Sequence, residues 1–451
     1  MATSATELGA SGGVRTSERR VSAESVRAGS AAHLFPCESR LYAEPLVLVE
    51  GKGVLVSDAT GREYLDLFSG ILTTSVGHCH AEVVARVQEQ VARLGHTSTL
   101  YLTENEVEMA KALAAIAPGR LDRTFFTNSG TEAIETAVML ACVHTGRTDI
   151  IALRYGYSGR STMATNLTAH GGWRPMASSL FPVKHALSPY TYRCPFKQPC
   201  DESCVDAFIH DLEEVIQTTT NGQPAAFLAE TIQGVAGYVV PPAGYFERAA
   251  EVIHRYGGLL IIDEVQAGFG RTGDHWFGIE HWGVEPDIMV MAKGIANGFP
   301  VAATMTRGEI AKSWTAKTIS TFGGNPVGMA AALATHDVMV REDVPARAAE
   351  RGRQLREGLD ALAARHGWIG EVRGMGLMQA IELVSDAKAK TPDGARAKAL
   401  LEAAKDEGLL IGVGGMHGHV IRIGPSLLIS ESEITDALAR LERACTAAGG
   451  P

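Results

Sequence analysis

Apolar residues recur along this chain with two different spacings. From Ala81 to Leu94, Val83, Val84, Val87 and Val91 gather on one face of a helix. Similar helical spacing runs through Thr131–Thr145 and Gly244–Tyr256. Between and around these stretches lie short apolar runs at Thr124–Thr127, Ile150–Leu153, Ala225–Glu230, Leu259–Asp263, Ile288–Met291 and Ala302–Thr306. Runs of that length predict strands. Their alternation with helices predicts a mostly parallel sheet covered on both faces. Ligands of such sheets collect at the carboxyl ends of the strands.

The pattern changes toward both ends. Leu46–Val49 and Gly53–Ser57 predict a hairpin with Gly51 and Lys52 near its turn, and Asp58–Gly61 predicts a second turn. Beyond about residue 340, a long helix (Val344–His366) precedes a strand at Gly376–Glu382. A further helix (Ala395–Glu407) precedes a strand at Val420–Ile423. Ser430 and Glu433 have capping-box spacing before a last helix. The expected organisation is therefore a large domain over 96–335 and a smaller, discontinuous α/β domain built from 35–95 and 336–451. The Arg154–Cys204 stretch lacks periodicity and predicts a long loop. Residues 1–34 have no apolar segment of the secretory kind. Their Arg15, Arg19, Arg20 and Arg27 are offset by Glu7, Glu18 and Glu24, so a disordered tail is expected rather than a targeting peptide.

Composition narrows the class. With 45 % hydrophobic and 20 % charged residues, the 451-residue chain is of ordinary globular type. Its net charge of −10 makes it a poor general binder of nucleic acid. No apolar run approaches the roughly 18 residues of a membrane span. Seven dispersed cysteines point to a reducing compartment, taken here as cytoplasmic.

Several segments carry residues suited to chemistry. Asn128-Ser-Gly-Thr-Glu132 follows an apolar strand and opens a helix, so backbone N–H groups and the Ser129 and Thr131 hydroxyls could cradle a phosphate. A simple helix cap is the competing reading. Asp263 closes a strand, where a carboxylate suits a ligand cation or only caps a turn. Lys293 follows Ile288–Met291, and desolvation there would make it a better nucleophile than a solvated turn lysine. Arg422 lies inside the apolar strand Val420–Ile423 and needs an anionic partner, from the protein or from a ligand. Gly268-Phe-Gly-Arg-Thr-Gly273 matches GxGxxG, but His275, Trp276, Phe277 and Gly278 make a poor helix start after it, so a glycine turn is expected. Gly77-His-Cys-His80 reads as a turn with incidental polar groups. Cys194, Cys200 and Cys204 cluster in the proline-rich loop. Their spacing is loose for zinc and a fourth ligand is missing, so thiols without metal are expected.

Phosphate cradle, carboxylate, amine and arginine together suit pyridoxal phosphate and an amino-acid substrate. From about Pro45 to Arg443 the chain resembles the class III aminotransferases, pyridoxal-phosphate enzymes of fold type I. The resemblance rests on Asn128-Ser-Gly-Thr-Glu-Ala, Ala229-Glu-Thr-Ile-Gln-Gly, Ile262-Asp-Glu-Val-Gln-Ala-Gly-Phe-Gly-Arg-Thr-Gly, Pro286-Asp-Ile-Met-Val-Met-Ala-Lys-Gly and Thr321-Phe-Gly-Gly-Asn-Pro. Within the family, Ile295-Ala-Asn-Gly-Phe-Pro300 most resembles the alanine–glyoxylate, β-aminoisobutyrate–pyruvate type. The resemblance implies a large, mostly parallel sheet of seven strands and a smaller α/β domain.

It also implies roles. Lys293 would hold the cofactor covalently and Asp263 would pair with its pyridinium nitrogen. Ser129, Gly130 and Thr131 would hold the phosphate, with Tyr157 and Val265 on the two ring faces and Gln266 near the phenolic oxygen. Glu230 would line the site and switch pairing between substrates. Thr321 would reach the neighbouring subunit's phosphate, implying a homodimer or a dimer of dimers. Arg422 would bind a substrate carboxylate. Two positions depart from the family pattern: Ser158 stands where an aromatic-His-Gly segment has His, and Ser426 follows Pro425 where Pro-Pro is usual. The expected activity is amino transfer from an α- or ω-amino acid to a 2-oxo acid such as pyruvate or glyoxylate. A lyase acting on a phosphorylated amino alcohol is the main alternative. Decarboxylase or mutase chemistry and a non-enzymatic role are further ones.

Overall fold

The computed structural model describes residues 22–449, apart from 176–179, 198 and 202. Three N-terminal strands, β1 (Leu48–Lys52), β2 (Leu55–Asp58) and β3 (Glu63–Asp66), form an antiparallel meander. Gly51 and Lys52 belong to β1, so the predicted hairpin turns one residue later, at Gly53.

Seven strands make the central sheet: β4 (Arg123–Thr127), β5 (Ile150–Leu153), β6 (Val183–Ala186), β7 (Ala226–Glu230), β8 (Leu259–Asp263), β9 (Ile288–Met291) and β10 (Ala302–Thr306). Their order is β4-β10-β9-β8-β7-β5-β6, and β10 is antiparallel to both of its neighbours. Every residue of β5, β7, β8, β9 and β10 is buried. This is why these strands read as unbroken apolar runs: both faces are covered. Ile261, Val290 and Ala302 face one core, with Ala133, Ala137 and Ala141 of the helix Gly130–Thr145. Leu260, Ile262, Met289 and Met291 face the other, with Phe208 of the helix Ser203–Thr219 and Ala249 of the helix Tyr245–Arg255.

The C-terminal part holds β11 (Ile369–Met375), β12 (Met378–Asp386), β13 (Thr391–Pro392), β14 (Leu409–Leu410), β15 (Gly412–Gly414) and β16 (Val420–Ile423). Strands β11, β12, β16 and β15 form an antiparallel sheet, with β13 beside β12. Strand β14 pairs in parallel with β3, which ties the N-terminal segment to the C-terminal one. The capping box is present: Glu433 N–H donates to Ser430 Oγ (3.2 Å) and Ser430 N–H to Glu433 Oε2 (2.7 Å). The GxGxxG segment is a turn, not a dinucleotide fingerprint. Gly273 has φ +79°, and a Cβ there would lie 2.8 Å from the Ala349 backbone, so glycine serves close packing against the helix Val344–Arg365.

Two expectations need correction. Residues 1–21 of the expected disordered tail lie outside the described residues, but Ala23–His33 is a helix. Ser22 caps it by accepting the Ser25 N–H, and Glu24 favours its positive end. Arg27 fixes it to the Pro45 carbonyl at 2.9 Å. The Arg154–Cys204 stretch is likewise not structureless. It contains the helix Thr162–Leu167 and the edge strand β6, both too short to show a period.

Candidate active site

A cleft of about 380 Å³ opens at the carboxyl ends of the central strands. Asp263 ends β8 and Glu230 ends β7, and the parallel register sets them opposite each other. Both are buried, and burial raises both carboxyl pKa values: Asp263 to about 6 and Glu230, with Asp263 beside it, to about 8. Asp263 Oδ1 accepts the Val265 N–H at 2.9 Å. Glu230 accepts the N–H groups of Tyr157 (2.9 Å) and Gly234 (2.7 Å), so it positions two loops of the cleft.

Lys293 comes two residues after β9, with φ +46°, a left-handed conformation costly for any residue with a Cβ and common at functional sites. Burial pushes its ammonium down to about 8, against the pull of Asp263 and Glu230. Asn297, just beyond, accepts the Val76 N–H (3.0 Å) and donates to the Gly77 carbonyl (2.8 Å), which locks the lysine turn to the N-terminal segment.

The third wall is the N-terminus of the helix Gly130–Thr145. Ser129 occupies the cap position, but its hydroxyl makes no capping bond. Glu132 reaches back instead to the Asn128 N–H at 2.7 Å. The simple-cap reading of Ser129 therefore fails, and Ser129, Gly130 and Thr131 line the cleft at the helix end, whose first N–H groups lack intrahelical partners. Thr131 Oγ1 accepts the N–H groups of Ser161 (3.1 Å) and Arg160 (3.3 Å), drawing that loop over the helix end. Gly159 makes the approach possible, because a Cβ there would fall 2.6 Å from the Thr131 side chain. Tyr157 lines the cleft and packs edge-on against Trp173, ring centres 5.6 Å apart.

Thus Ser129, Gly130, Thr131, Tyr157, Glu230, Asp263, Val265, Gln266 and Lys293 all line one cleft. Arg422 does not. It stands behind Gly234, donating to that carbonyl at 3.3 Å, while Gly234 donates to Glu230. Thr321 is exposed and outside this cleft. The sequence reading missed Thr73, Phe299 and Pro300, which also line it. Thr73 follows a left-handed turn, with φ of +50°, +60°, +66° and +58° from Ser69 to Leu72. Such backbone costs about 1–2 kcal/mol per non-glycine residue. Asp66 offsets part of this by accepting the N–H groups of Phe68 and Ser69, both at 2.9 Å. The signal was Asp66 placed just before Ser69-Gly70.

The donor set fits pyridoxal phosphate. Backbone and hydroxyl donors at the helix end suit its phosphate, a buried carboxylate suits its ring nitrogen, and a desolvated amine suits its aldehyde. The buried Gln266 Oε1 has no hydrogen-bond partner among the described residues, as expected of an atom aimed at a ligand.

Comparison with known proteins agrees with this geometry. The family described as Aminotransferase class-III matches residues 39–445. The Arabidopsis thaliana protein named alanine–glyoxylate aminotransferase 2 homolog 2, mitochondrial, is 43 % identical over 403 residues, covering 89 % of this chain and 83 % of its own. An (S)-enantioselective omega-transaminase from Thermomicrobium roseum superimposes with a TM-score of 0.87 at 34 % identity, over 94 % of this chain and 98 % of that one. A PLP-bound amine transaminase from an uncultivated Pseudomonas species gives 0.85 at 33 % identity, over 91 % and 97 %.

Proposed function

This chain belongs to the class III aminotransferases, and on that premise we propose that the cleft around Lys293 moves an amino group from an amino-acid donor to pyruvate or glyoxylate. The enzyme is a pyridoxal-phosphate-dependent aminotransferase, and its acceptor is a 2-oxo acid. One observation carries the assignment of roles: a lysine with its pKa lowered to about 8 stands beside two buried carboxylates, opposite a helix N-terminus.

When bound, pyridoxal phosphate supplies an aldehyde to carry the amino group and a ring to take the electron pair left at the substrate carbon. Ser129, Gly130 and Thr131 hold its phosphate, and Tyr157 and Val265 bracket its ring. Gln266 hydrogen-bonds its phenolic oxygen. Asp263, with its pKa raised to about 6 and so ionised at neutral pH, would pair with the ring nitrogen and favour its protonated form. Lys293 holds the cofactor. Once a donor amine displaced it, the Lys293 amine, neutral above a pH of about 8, would be the base placed to take the proton from the substrate carbon and to return it to the carbon on the far side of the shared nitrogen. Arg422, which stands behind Gly234 and outside the cleft lining, would receive the substrate carboxylate only by leaving the Gly234 carbonyl. Glu230 holds the Tyr157 and Gly234 loops around the cleft.

A homodimer is part of the proposal. Thr99 and Ser320 hydrogen-bond (3.2 Å between backbones), and beside them Leu100, Tyr101, Leu102, Ile319 and Phe322 are all at least 60 % exposed. An apolar patch of this kind suits a second copy, placing Thr321 against that copy's cofactor phosphate. Sedimentation of a fully active monomer would overturn this. The cytoplasmic location is also proposed, on the cysteine usage; cell fractionation decides it.

The function is tested with holoenzyme given one amine at a time and no oxo acid. One turnover per site is expected, with its product oxo acid and a shift of the cofactor absorption band. Pyruvate or glyoxylate should restore the band. Sustained ammonia release without an acceptor would sink the reading in favour of a lyase. Lys293→Ala should slow turnover by at least about 10²–10⁴-fold.

A further inference from the structure

The loop before the helix Ser203–Thr219 brings three cysteines together far along the chain from Lys293. The sulfur atoms of Cys194, Cys200 and Cys204 lie within 4.8 Å of one another, and those of Cys194 and Cys204 are 3.5 Å apart. We propose that these three sulfurs bind a single Zn²⁺ ion that pins this loop to the helix.

Geometry favours one ion. Ligands about 2.3 Å from a tetrahedral zinc are spaced about 3.8 Å from each other. The observed separations are close to that spacing and well beyond the roughly 2.05 Å of a disulfide. A polynuclear cluster would hold its thiolates farther apart than one ion does. The loop is also shaped for a thiolate. After Cys194-Pro195 the chain turns back, and the backbone N–H groups of Lys197 and Phe196 donate to the Cys194 sulfur. Cys204 lies in the first turn of a 17-residue helix, whose positive end stabilises negative charge on sulfur. Lys197, paired with Asp201 at 2.5 Å, adds a cation near Cys200 and Cys204.

The loose sequence spacing argued against this site, but the fold brings the three sulfurs together despite it. Among the described residues no histidine or carboxylate joins the three sulfurs. Cys194 and Cys204 are buried whereas Cys200 is half-buried, so solvent can reach the cluster and water would complete the tetrahedron.

The ion would act on structure rather than chemistry. Just upstream, Tyr190 and Arg193 bond to Glu382 of β12, and Lys390 donates to the Tyr192 carbonyl at 2.6 Å. Downstream, Phe196 packs on Phe208 with ring centres 5.1 Å apart. Residues 190–196 thus join the helix layer of the central sheet to the C-terminal sheet. Zinc would anchor one end of this segment.

The test is elemental analysis of holoenzyme purified in metal-free buffer, then incubated with one equivalent of zinc and desalted. About one zinc per chain is expected, falling to near zero in Cys200→Ser. X-ray absorption at the zinc edge of the wild type, which needs no variant, should show about three sulfur neighbours near 2.3 Å. A shell of nitrogen and oxygen alone would overturn the proposal. So would zinc held equally by Cys200→Ser, no zinc retained, or a Cys194–Cys204 disulfide found by non-reducing peptide mapping.

Discussion

Arg373 and Arg422 sit in one cross-strand row of the C-terminal sheet, on either side of Ala380. Both are buried, and both reach the same turn: Arg373 Nε donates to the Gly237 carbonyl (2.7 Å) and Arg422 Nη1 to that of Gly234 (3.3 Å). Their charges meet different fates. Arg373 is enclosed by Glu382 (2.6 Å) and Glu371. Although burial lowers its pKa, Tyr190 and these two carboxylates raise it further than burial takes it down. Arg422 bonds only to carbonyls, including Val413 O at 2.8 Å, and lies over the rings of Phe68 and Tyr238. Among the described residues it has no ion pair, and burial lowers its pKa. A buried arginine whose carboxylates are present holds the fold together. One that lacks them keeps its charge to offer a ligand. Of the two readings the sequence left open for Arg422, no structural ion pair forms among the described residues, which supports the proposed ligand role; Arg373 takes the structural one.

Three measurements would sharpen or break that contrast. Arg373→Met should cost the most stability, about 1.5–3 kcal/mol, because buried Glu382 keeps Arg193, Tyr190 and His419 but loses its most deeply buried cation. A melting temperature within a degree or two of wild type would erase the distinction. Arg422→Met should leave the melting temperature nearly unchanged. It should weaken use of carboxylate-bearing donors by about 2–5 kcal/mol in kcat/KM and spare amines that lack a carboxylate. Equal losses for both amine classes would remove the carboxylate role.

The smallest effect concerns acid. Glu382 is held well below the ordinary glutamate pKa: burial raises it, but His419, Arg373, Tyr190 and Arg193 together lower it more. A depressed carboxyl pKa means the unfolded chain binds more protons. The stabilisation is therefore whole above the unfolded value of about 4.3 and lost as the pH falls toward the folded one. Between pH 7 and pH 4, the stability gap between wild type and Glu382→Gln should shrink by roughly 0.6 kcal/mol. A gap that grows would reverse the sign of the argument. Arg422 has no such partner to titrate, so Arg422→Met should follow the wild-type acid profile.

Most of the central sheet was legible because its strands are buried on both faces, which writes them as apolar runs. Lys293 and Asp263 of the candidate site were legible for a related reason: each stands where such a run stops. Strands β6 and β11 were not. β6 is an edge strand of four residues and β11 is mostly half-buried, so neither has a clean pattern. The left-handed turn at Ser69–Leu72 was invisible because local preference opposes it. It persists through Asp66 and the burial of Leu72.

The sequence by itself determined the family, the cofactor chemistry and the residues at the strand ends, since local order and apolar period are properties of neighbours along the chain. The tertiary structure decided which charges remain open. Arg373 and Arg422 are each the single cation of a largely apolar strand, although Arg373 also has Glu371 two residues before it. Only the strand register sets Glu382 beside one and carbonyls beside the other. The three cysteine sulfurs depend in the same way on how the loop closes. Electrostatic energy falls with distance in space, and distance along the chain does not fix it.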